Sequence, residues 1–329
     1  MLKTKKQHYV PKSYLRRFSN GREQLWVFDK VIKREYEANI GDVAQQRYFY
    51  DLPKDAEQLG IDVQTAEKVF AHGEGKFWKS IEQILKNIET SGITNEQRLD
   101  LCPHITMQWV RTRECRDTIV EIIAKSGQAL INGLTERNFP NISSDRYPIF
   151  AIPEDKAIIW HYNYMFDNNK RSEISSAFMH YIWFIGVNIH EQPLYTSDNP
   201  IVRQAHIKDV FTGGMGIYSR GVEFAYPITP RYILILRERT YFKSDAKHEN
   251  KPVILEKEDI NKLNKLQLIQ STRQIFCPEN KFDFARKFCK KHPQLVSNKR
   301  ERFNVEIQPV SGKVDRDLLI LTQRLEDMQ

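Results

Sequence analysis

The spacing of apolar residues predicts strands at the start of the chain and helices after them. Leu25–Phe28 (LWVF) follows the turn-forming pair Asn20–Gly21 and is typical of a strand. Tyr48–Tyr50 is a dense aromatic run that we expect to pack against this strand. From residue 62 to residue 88 the apolar positions recur every three or four residues, which indicates amphipathic helices. The first half therefore combines a small β module with helices.

Gly73 and Gly75 interrupt this helical pattern. Each glycine costs about 1 kcal/mol relative to alanine in a helix interior, so the pattern predicts a bend or a corner at this point. Glu74 lies between the two glycines, and a bend would direct its carboxylate inward. The alternative is an ordinary corner between two helices, at which Glu74 is solvated.

The segment from about residue 95 to about residue 132 is predicted to be helical. Thr94–Gln97 has the capping-box pattern that begins a helix, and Pro103 would kink this helix or start a new one. Four residues with polar or reactive side chains share one helical face: His104, Gln108, Arg111 and Cys115. A partly buried Arg111 needs an anionic partner, such as Asp198, Glu74 or a ligand phosphate. A structural salt bridge is the simpler interpretation.

The second half predicts an antiparallel sheet with flanking helices. Residues 139–155 are rich in Pro, Asn, Ser and Asp, which is typical of a linker or a surface excursion. Near-continuous apolar runs beyond it indicate buried central strands at Met179–Ile189, Ile201–Val202, Val222–Tyr226 and Arg231–Arg237. We therefore predict an α+β fold: residues 1–138 with the β module and helices, 156–295 with the sheet, and a C-terminal tail at 296–329, all in one integrated domain.

The sequence TSDNP, Thr196–Pro200, lies between two of these predicted strands. Asp-Asn-Pro forms turns well, because the aspartate accepts local backbone N–H bonds and the proline fixes the exit of the chain. A carboxylate held rigidly at a strand end is also well placed to act as a metal ligand or a general base. Asp198 and Asn199 therefore have both a structural and a functional interpretation.

Composition narrows the class of protein. Hydrophobic residues make up 40% and charged residues 28% of the 329 positions, which fits an ordinary globular protein with a substantial core. The four cysteines are too few and too scattered for a secreted disulfide framework. The basic N-terminus has no apolar segment behind it, and the apolar run Phe178–Ile189 is too short to span a bilayer. These features predict a cytoplasmic protein without a membrane anchor.

The net charge of +8 is concentrated at the N-terminus. Residues 1–34 contain ten Lys or Arg against only Glu23 and Asp29, so the rest of the chain is balanced. Such an excess attracts polyanions, because each neutralised phosphate releases condensed counterions. The alternative is a solvated face that maintains solubility. A second basic cluster, Lys281–Arg300, has the same two interpretations.

The motif HYVPKSYLRRF, His8–Phe18, places an imidazole, two phenols and three cations within eleven residues. A structural interpretation is an entry turn at Pro11 followed by a short helix that carries aromatic residues into the core. In the functional interpretation, His8 titrates near neutral pH beside the fixed charges of Arg16 and Arg17. That combination is suited to phosphate chemistry.

A set of residues from separate segments would supply phosphodiester cleavage if the fold brought them together. Asp198 and Glu74 would hold Mg²⁺ or Mn²⁺, and His8 would transfer protons. Arg111 or Arg16 would stabilise charge that develops on phosphate. The remaining candidates for binding a nucleic-acid substrate are Arg17, Gln108 and Asn199. The chain contains no Walker loop, dinucleotide-binding fingerprint, zinc-protease motif or kinase motif that would indicate a different chemistry.

Five of these segments, in this order, resemble a prokaryotic family of unknown function, domain-of-unknown-function family 4238. They are HYVPKSYLRRF, LWVFDK, QWVRTR at Gln108–Arg113, YTSDNP at Tyr195–Pro200 and FAYPITPRYILIL. The resemblance runs from about His8 to about Cys277. Some members of the family are single-gene anti-phage defence systems, so the resemblance implies a bacterial defence role. It implies no mechanism and no catalytic residues.

We therefore predict a defence effector that cleaves RNA or DNA, because a defence role needs an effector and no partner domain is visible. The first alternative is a non-catalytic sensor that binds nucleic acid or another phage component. The second is an interaction protein in which all of these motifs are structural.

Overall fold

The computed structural model describes residues 5–53, 62, 64–207, 215–297, 301–309 and 317–323. The N-terminal part contains strand β1 (Lys6–His8), helix α1 (Lys12–Leu15) with a 3₁₀ turn at Arg16–Phe18, and strands β2 (Gln24–Asp29), β3 (Arg34–Asn39) and β4 (Gln45–Arg47). Strand β1 pairs with β4 and β2 with β3, both antiparallel. Helix α1 follows Pro11, and Tyr14, Leu15 and Phe18 are fully buried. The HYVPKSYLRRF motif therefore carries aromatic residues into the core, as its structural interpretation predicts.

The middle of the chain is helical: α2 (Thr65–Ser91), α3 (Asn95–Val110), α4 (Arg113–Asn138), α5 (Glu154–Phe166) and α6 (Asn168–His180). Thr94 and Gln97 form the predicted capping box of α3. The segment predicted to be helical from about residue 95 to about residue 132 is helical, but its new start lies at Thr112, whose side chain accepts the amide of Cys115 at 3.2 Å and begins α4. Pro103 lies inside α3 and does not end it.

The corner between two helices, the alternative considered at Gly73 and Gly75, is wrong, because α2 continues through both glycines. Phe70 and Phe77, on either side of them, are 5% and 6% exposed. Burial of one such side chain contributes about 1.5–3 kcal/mol, which offsets the cost of about 1 kcal/mol for each glycine. Packing of the apolar face therefore determines the length of this helix.

The second half contains strands β5 (Ile182–Val187), β6 (Thr196–Ser197), β7 (Val202–Ala205), β8 (Val222–Pro227), β9 (Tyr232–Arg237), β10 (Pro252–Ile254) and β11 (Gln274–Cys277), with helices α7 (Lys257–Gln270) and α8 (Asp283–Lys291). Further 3₁₀ turns lie at Ser144–Arg146, Lys243–His248 and Pro293–Val296. Five strands form one sheet in the order β10-β5-β9-β8-β7. The sheet is antiparallel except where β10 pairs with β5. The strand predicted from Met179 begins only at Ile182, because α6 extends to His180.

A second sheet joins the N-terminal hairpin to two strands of the second half, in the order β3-β2-β11-β6. Trp26 of β2 lies opposite Cys277 of β11, and Ile275 of β11 lies opposite Ser197 of β6. The N-terminal hairpin therefore shares a sheet with strands from the second half. One apolar core likewise runs from Val27 through the helices to Phe224 of β8. This arrangement is the predicted α+β fold.

Strands β12 (Phe303–Pro309) and β13 (Asp317–Gln323) form an antiparallel hairpin in the C-terminal tail. Arg302 attaches this hairpin to α4, where its guanidinium lies 2.9 Å from Glu114, 3.1 Å from Asp117 and 3.3 Å from Glu121. The three carboxylates lie on one face of α4, and Arg302 is only 12% exposed. One arginine thus partly neutralises this acidic face and docks the hairpin.

The predicted linker, residues 139–155, returns to the surface of α4. Gln128 of α4 donates to the carbonyl of Pro148 at 2.9 Å and accepts the amide of Phe150 at 2.8 Å.

Within the ranges that the structure describes, no helix combines the length and apolarity needed to cross a bilayer.

Candidate functional site

A cleft of about 190 Å³ lies between α2, α3, the start of α1 and β8. Four aromatic residues line it: Phe70, Phe77, Trp78 and Tyr226. The rings of Phe77 and Trp78 meet edge to face with centroids 4.6 Å apart, and Tyr226 is stacked 6.3 Å from Phe77. The spacing of Phe70, Phe77 and Trp78 places all three on one face of α2. We call this site the aromatic cleft.

Gln108 and Arg111 supply polar groups to the aromatic cleft and are 6% and 4% exposed. The guanidinium of Arg111 lies 3.8 Å from the centre of the Phe70 ring, and its Nη2 donates to the main-chain carbonyl of His8 at 2.8 Å. The side-chain Nε2 of Gln108 is buried and has no hydrogen-bond partner among the described residues. A buried donor left unsatisfied costs about 1–3 kcal/mol, so this amide needs an explanation.

Three of the four residues on the helical face predicted from the sequence therefore line the aromatic cleft. His104 lines the same cleft beside Gln108 and Arg111. Cys115, the fourth member of that face, lies beyond the break at Thr112. Burial raises the pKa of the Cys115 thiol to about 12, so this thiol is protonated at neutral pH.

His8 adjoins the aromatic cleft through the contact of its carbonyl with Arg111. Its ring Nε2 is buried and has no hydrogen-bond partner within the described residues. Burial, and then the charge of Lys12, lower the pKa of His8 from 6.5 to about 4. The expectation that His8 titrates near neutral pH is therefore wrong, because it did not include burial. A neutral imidazole can accept a proton but supplies no fixed positive charge.

Arg16 and Arg17 are neighbours in the chain but differ in their surroundings. The guanidinium of Arg17 lies 4.4 Å from the centre of the Trp78 ring and 2.7 Å from Glu82. Arg17 Nε is buried and has no hydrogen-bond partner in the described part of the chain. Arg16 is exposed and pairs with Glu23 at 2.6 Å. Of the two arginines, Arg17 is thus the one in contact with a wall of the cleft.

The junction between α3 and α4, beside the cleft, is held by His161, which has no local signal in the sequence. Its Nδ1 accepts from Arg116 at 3.2 Å, so the proton of the neutral ring is on Nε2, which donates to the carbonyl of Val110 at 2.8 Å. Burial, and then the charge of Arg116, lower the pKa of His161 to about 3. The ring stays neutral and positions the turn at Arg111.

Asp198 does not line the aromatic cleft, and its carboxylate accepts three main-chain amides of residues 272–274. Its Oδ1 accepts the amide of Thr272 at 2.8 Å, and its Oδ2 accepts the amides of Arg273 at 2.7 Å and Gln274 at 2.9 Å. The side chain is 1% exposed. Burial raises the pKa of Asp198, while the three amides act in the opposite direction. This geometry favours the structural interpretation of the TSDNP sequence.

Asn199 is part of the same structural cluster, since its Nδ2 donates to the carbonyl of Gln270 at 3.1 Å. Three polar residues of α7 face the TSDNP segment and are buried: Asn264, Gln267 and Gln270. Gln267 accepts from Ser197 at 2.6 Å and donates to the carbonyl of Pro200 at 2.8 Å. We call Thr196–Pro200 with these three α7 residues the TSDNP anchor. Sequence reasoning missed the α7 residues, although their spacing of three placed them on one face.

The predicted metal pair is not supported by the donor groups. Both Asp198 oxygens bind amides, and the side chain of Glu74 lies outside the described part of the structure. The described residues contain no group of three or more His, Cys, Asp or Glu arranged to hold a metal ion.

The basic N-terminal segment is partly neutralised by the fold. Lys30 is 1% exposed and donates to the carbonyls of Leu268 at 2.8 Å and Ser271 at 2.7 Å. Lys6 pairs with Asp42 at 2.7 Å. The count of N-terminal charges therefore overstates the positive charge that this segment presents to a polyanion.

These features define an α+β protein with an aromatic cleft of about 190 Å³ between its helices and its sheet. Over residues 6–280 the chain matches the family described as protein of unknown function (DUF4238), and it belongs to that family. The resemblance predicted from the motifs is thereby confirmed. Comparison with curated proteins and with solved structures gives no match.

Proposed function

We propose that this protein works in the bacterial cytoplasm as an anti-phage defence protein that binds nucleic acid at the aromatic cleft. The defence role rests on the family resemblance. The ligand class rests on one observation: the cleft combines four aromatic rings with the buried polar groups of Gln108 and Arg111. Proteins that hold single strands use aromatic platforms for the bases and cations for the phosphates.

Binding to labelled single-stranded RNA, single-stranded DNA and duplex DNA, measured by fluorescence anisotropy across a salt series, tests this proposal. We expect single strands to bind more tightly than duplex, and we expect the affinity to fall as salt rises. Arg17→Ala should weaken binding about tenfold, because it removes a cation stacked on a cleft wall.

Lys262→Ala is the matched control for Arg17→Ala. Lys262 is 68% exposed on α7 and pairs within the helix with Asp259 at 3.7 Å, so its loss removes one charge away from the cleft. We expect this variant to bind as the parent does. Equal weakening by both variants, or no binding of any polynucleotide at low salt, would contradict the proposal.

Phosphodiester cleavage is the second candidate function, and His8 is the observation that favours it. A neutral, buried imidazole nitrogen without a partner can accept the proton of an attacking hydroxyl, and Arg111 beside it can stabilise phosphate charge. His8→Ala removes the ring but keeps the main-chain carbonyl that binds Arg111, so the variant should fold.

Incubation with RNA, transfer RNA and duplex DNA, each with Mg²⁺, Mn²⁺ or chelator, separates the two candidates. Cleavage that survives chelation and is lost in His8→Ala would establish His8 as the proton acceptor. Cleavage abolished by chelator would instead establish a metal-dependent reaction. Binding without cleavage under every condition would establish a sensor.

A further inference from the structure

The side-chain amide of Gln108 is a polar group of the aromatic cleft whose nitrogen has no hydrogen-bond partner among the described residues. Gln108 is 6% exposed, its Nε2 is buried, and the described residues give this nitrogen no acceptor. A methionine of nearly the same shape would fill this position without leaving a buried donor unsatisfied. An unfavourable polar group inside a packed site is typical of positions that serve a ligand.

Gln267 shows what a glutamine contributes where it serves the fold. It is 1% exposed on α7, and both ends of its amide are bonded, to Ser197 at 2.6 Å and Pro200 at 2.8 Å. Gln108 is also buried and lines the cleft, but its Nε2 has no hydrogen-bond partner among the described residues. A ligand that enters the cleft can supply an acceptor for this group.

The size of the cleft limits what can enter. An apolar cavity of about 150 Å³ is large enough for benzene, whereas pockets for drug-sized ligands start at about 300 Å³. The aromatic cleft, at about 190 Å³, therefore accommodates one ring system rather than a whole nucleotide chain. Its walls are the rings of Phe77, Trp78 and Tyr226, which favour a flat partner.

The charges near the cleft indicate that this flat ligand carries anionic groups. The guanidinium of Arg17 stacks on Trp78 at 4.4 Å, and that of Arg111 lies against Phe70 at 3.8 Å. A ring with an acceptor edge, attached to phosphate, gives the Gln108 amide an acceptor and brings a phosphate near two guanidinium groups, of which Arg17 also pairs with Glu82 at 2.7 Å. Bases of single strands have these properties, because their edges and faces are not engaged in a duplex.

We propose that the aromatic cleft receives one unpaired base of a single-stranded nucleic acid, and that Gln108 Nε2 donates a hydrogen bond to an acceptor on the edge of that base. This inference rests on the proposed nucleic-acid function and adds the part of the ligand that the site recognises. It makes Gln108 a recognition residue and not a structural one.

Two probes, each four nucleotide units long, test the inference. One is a fluorescently labelled tetrathymidylate, and the other is an abasic backbone with the same number of phosphates and the same label. We expect the tetrathymidylate to bind at least about tenfold more tightly, because stacking of one base alone is worth that factor. Gln108→Met should weaken tetrathymidylate binding about tenfold and leave binding of the abasic probe unchanged.

Gln267→Met controls for loss of a buried glutamine as such. It should lower the Tm without changing the affinity ratio between the two probes, whereas Gln108→Met should not lower the Tm. Equal binding of both probes would overturn the base-recognition inference and leave nucleic-acid binding standing. Absence of binding by both probes and by longer single strands would overturn the proposed function as well. A Gln108→Met variant with lower Tm and unchanged affinity would make Gln108 structural.

Discussion

The TSDNP anchor and the aromatic cleft both bury polar side chains, but they differ in how those groups are satisfied. In the anchor, Asp198 accepts three backbone amides, and Gln267 is bonded at both ends of its side-chain amide. At the cleft, Gln108 Nε2, His8 Nε2 and Arg17 Nε are buried without a hydrogen-bond partner among the described residues. Both regions come from segments that the sequence marks as candidates for chemistry.

The difference shows how to separate structural motifs from functional ones in this chain. A satisfied polar cluster stabilises one arrangement of strands and helices, and its geometry leaves no donor or acceptor for a ligand. An unsatisfied group destabilises the free protein, so its presence points to a partner that arrives later. On this basis we assign the anchor to the fold and propose the cleft as the functional site.

The largest effect that this comparison predicts is in the anchor. Asp198→Ala leaves the amides of Thr272, Arg273 and Gln274 without their acceptor, and it should lower the free energy of unfolding by about 3–5 kcal/mol. Urea denaturation measures this change. Asp198→Asn keeps one acceptor oxygen and should lose less. A loss below about 1 kcal/mol for Asp198→Ala would show that the carboxylate is not structural.

Two histidines predict a smaller effect, which is a dependence of the free energy of unfolding on pH. The pKa values of His161 and His8 are lowered, from 6.5 to about 3 and about 4. Below pH 6.5 the unfolded chain therefore binds protons that the folded chain does not. The free energy of unfolding consequently decreases as the pH falls from 6.5 towards the folded-state pKa values of about 4 and about 3. The contribution is fully present above pH 6.5.

His161→Gln tests this pH dependence. A glutamine can accept from Arg116 and donate to Val110 as the neutral ring does, but it does not titrate. The loss of stability between about pH 7.5 and about pH 5, measured by urea denaturation, should therefore shrink in this variant. His8→Gln should reduce the same loss independently. An unchanged loss in His161→Gln would show that its ring does not control acid stability.

Arg17→Ala should have the smallest effect on stability, within about 1 kcal/mol, because its pair with Glu82 is partly exposed and its stacking on Trp78 is modest. The free energy that this variant loses in nucleic-acid binding should be larger than the free energy that it loses in folding. Thermal denaturation beside the anisotropy assay makes this comparison. A large drop in Tm would place Arg17 with the structural groups.

Local signals in the sequence predicted much of the fold. The capping box at Thr94 begins α3, and the apolar runs of the second half form β5, β8 and β9. The pairing of β2 with β11 was not predicted, because it joins residues far apart in the chain whose patterns fit many partners. The break at Thr112 had a signal, since threonine is a favoured helix N-cap.

The candidate site was predicted in part for the same reason. Helical spacing is local, so the shared face of His104, Gln108 and Arg111 could be read from the sequence. Whether Asp198 meets solvent, a metal or backbone amides depends on a strand more than seventy residues away. Burial also decides the charge of His8, and burial is a property of the whole fold.

The most direct test of the central claim compares Gln108→Met with Gln267→Met in one experiment, by thermal denaturation and by binding of a labelled single strand. We expect Gln108→Met to keep or raise the Tm and to lose about tenfold in affinity. We expect Gln267→Met to lose about 2 kcal/mol of stability and to keep its affinity. The opposite pattern, with Gln108→Met destabilised and still binding, would contradict the assignment of the cleft to function.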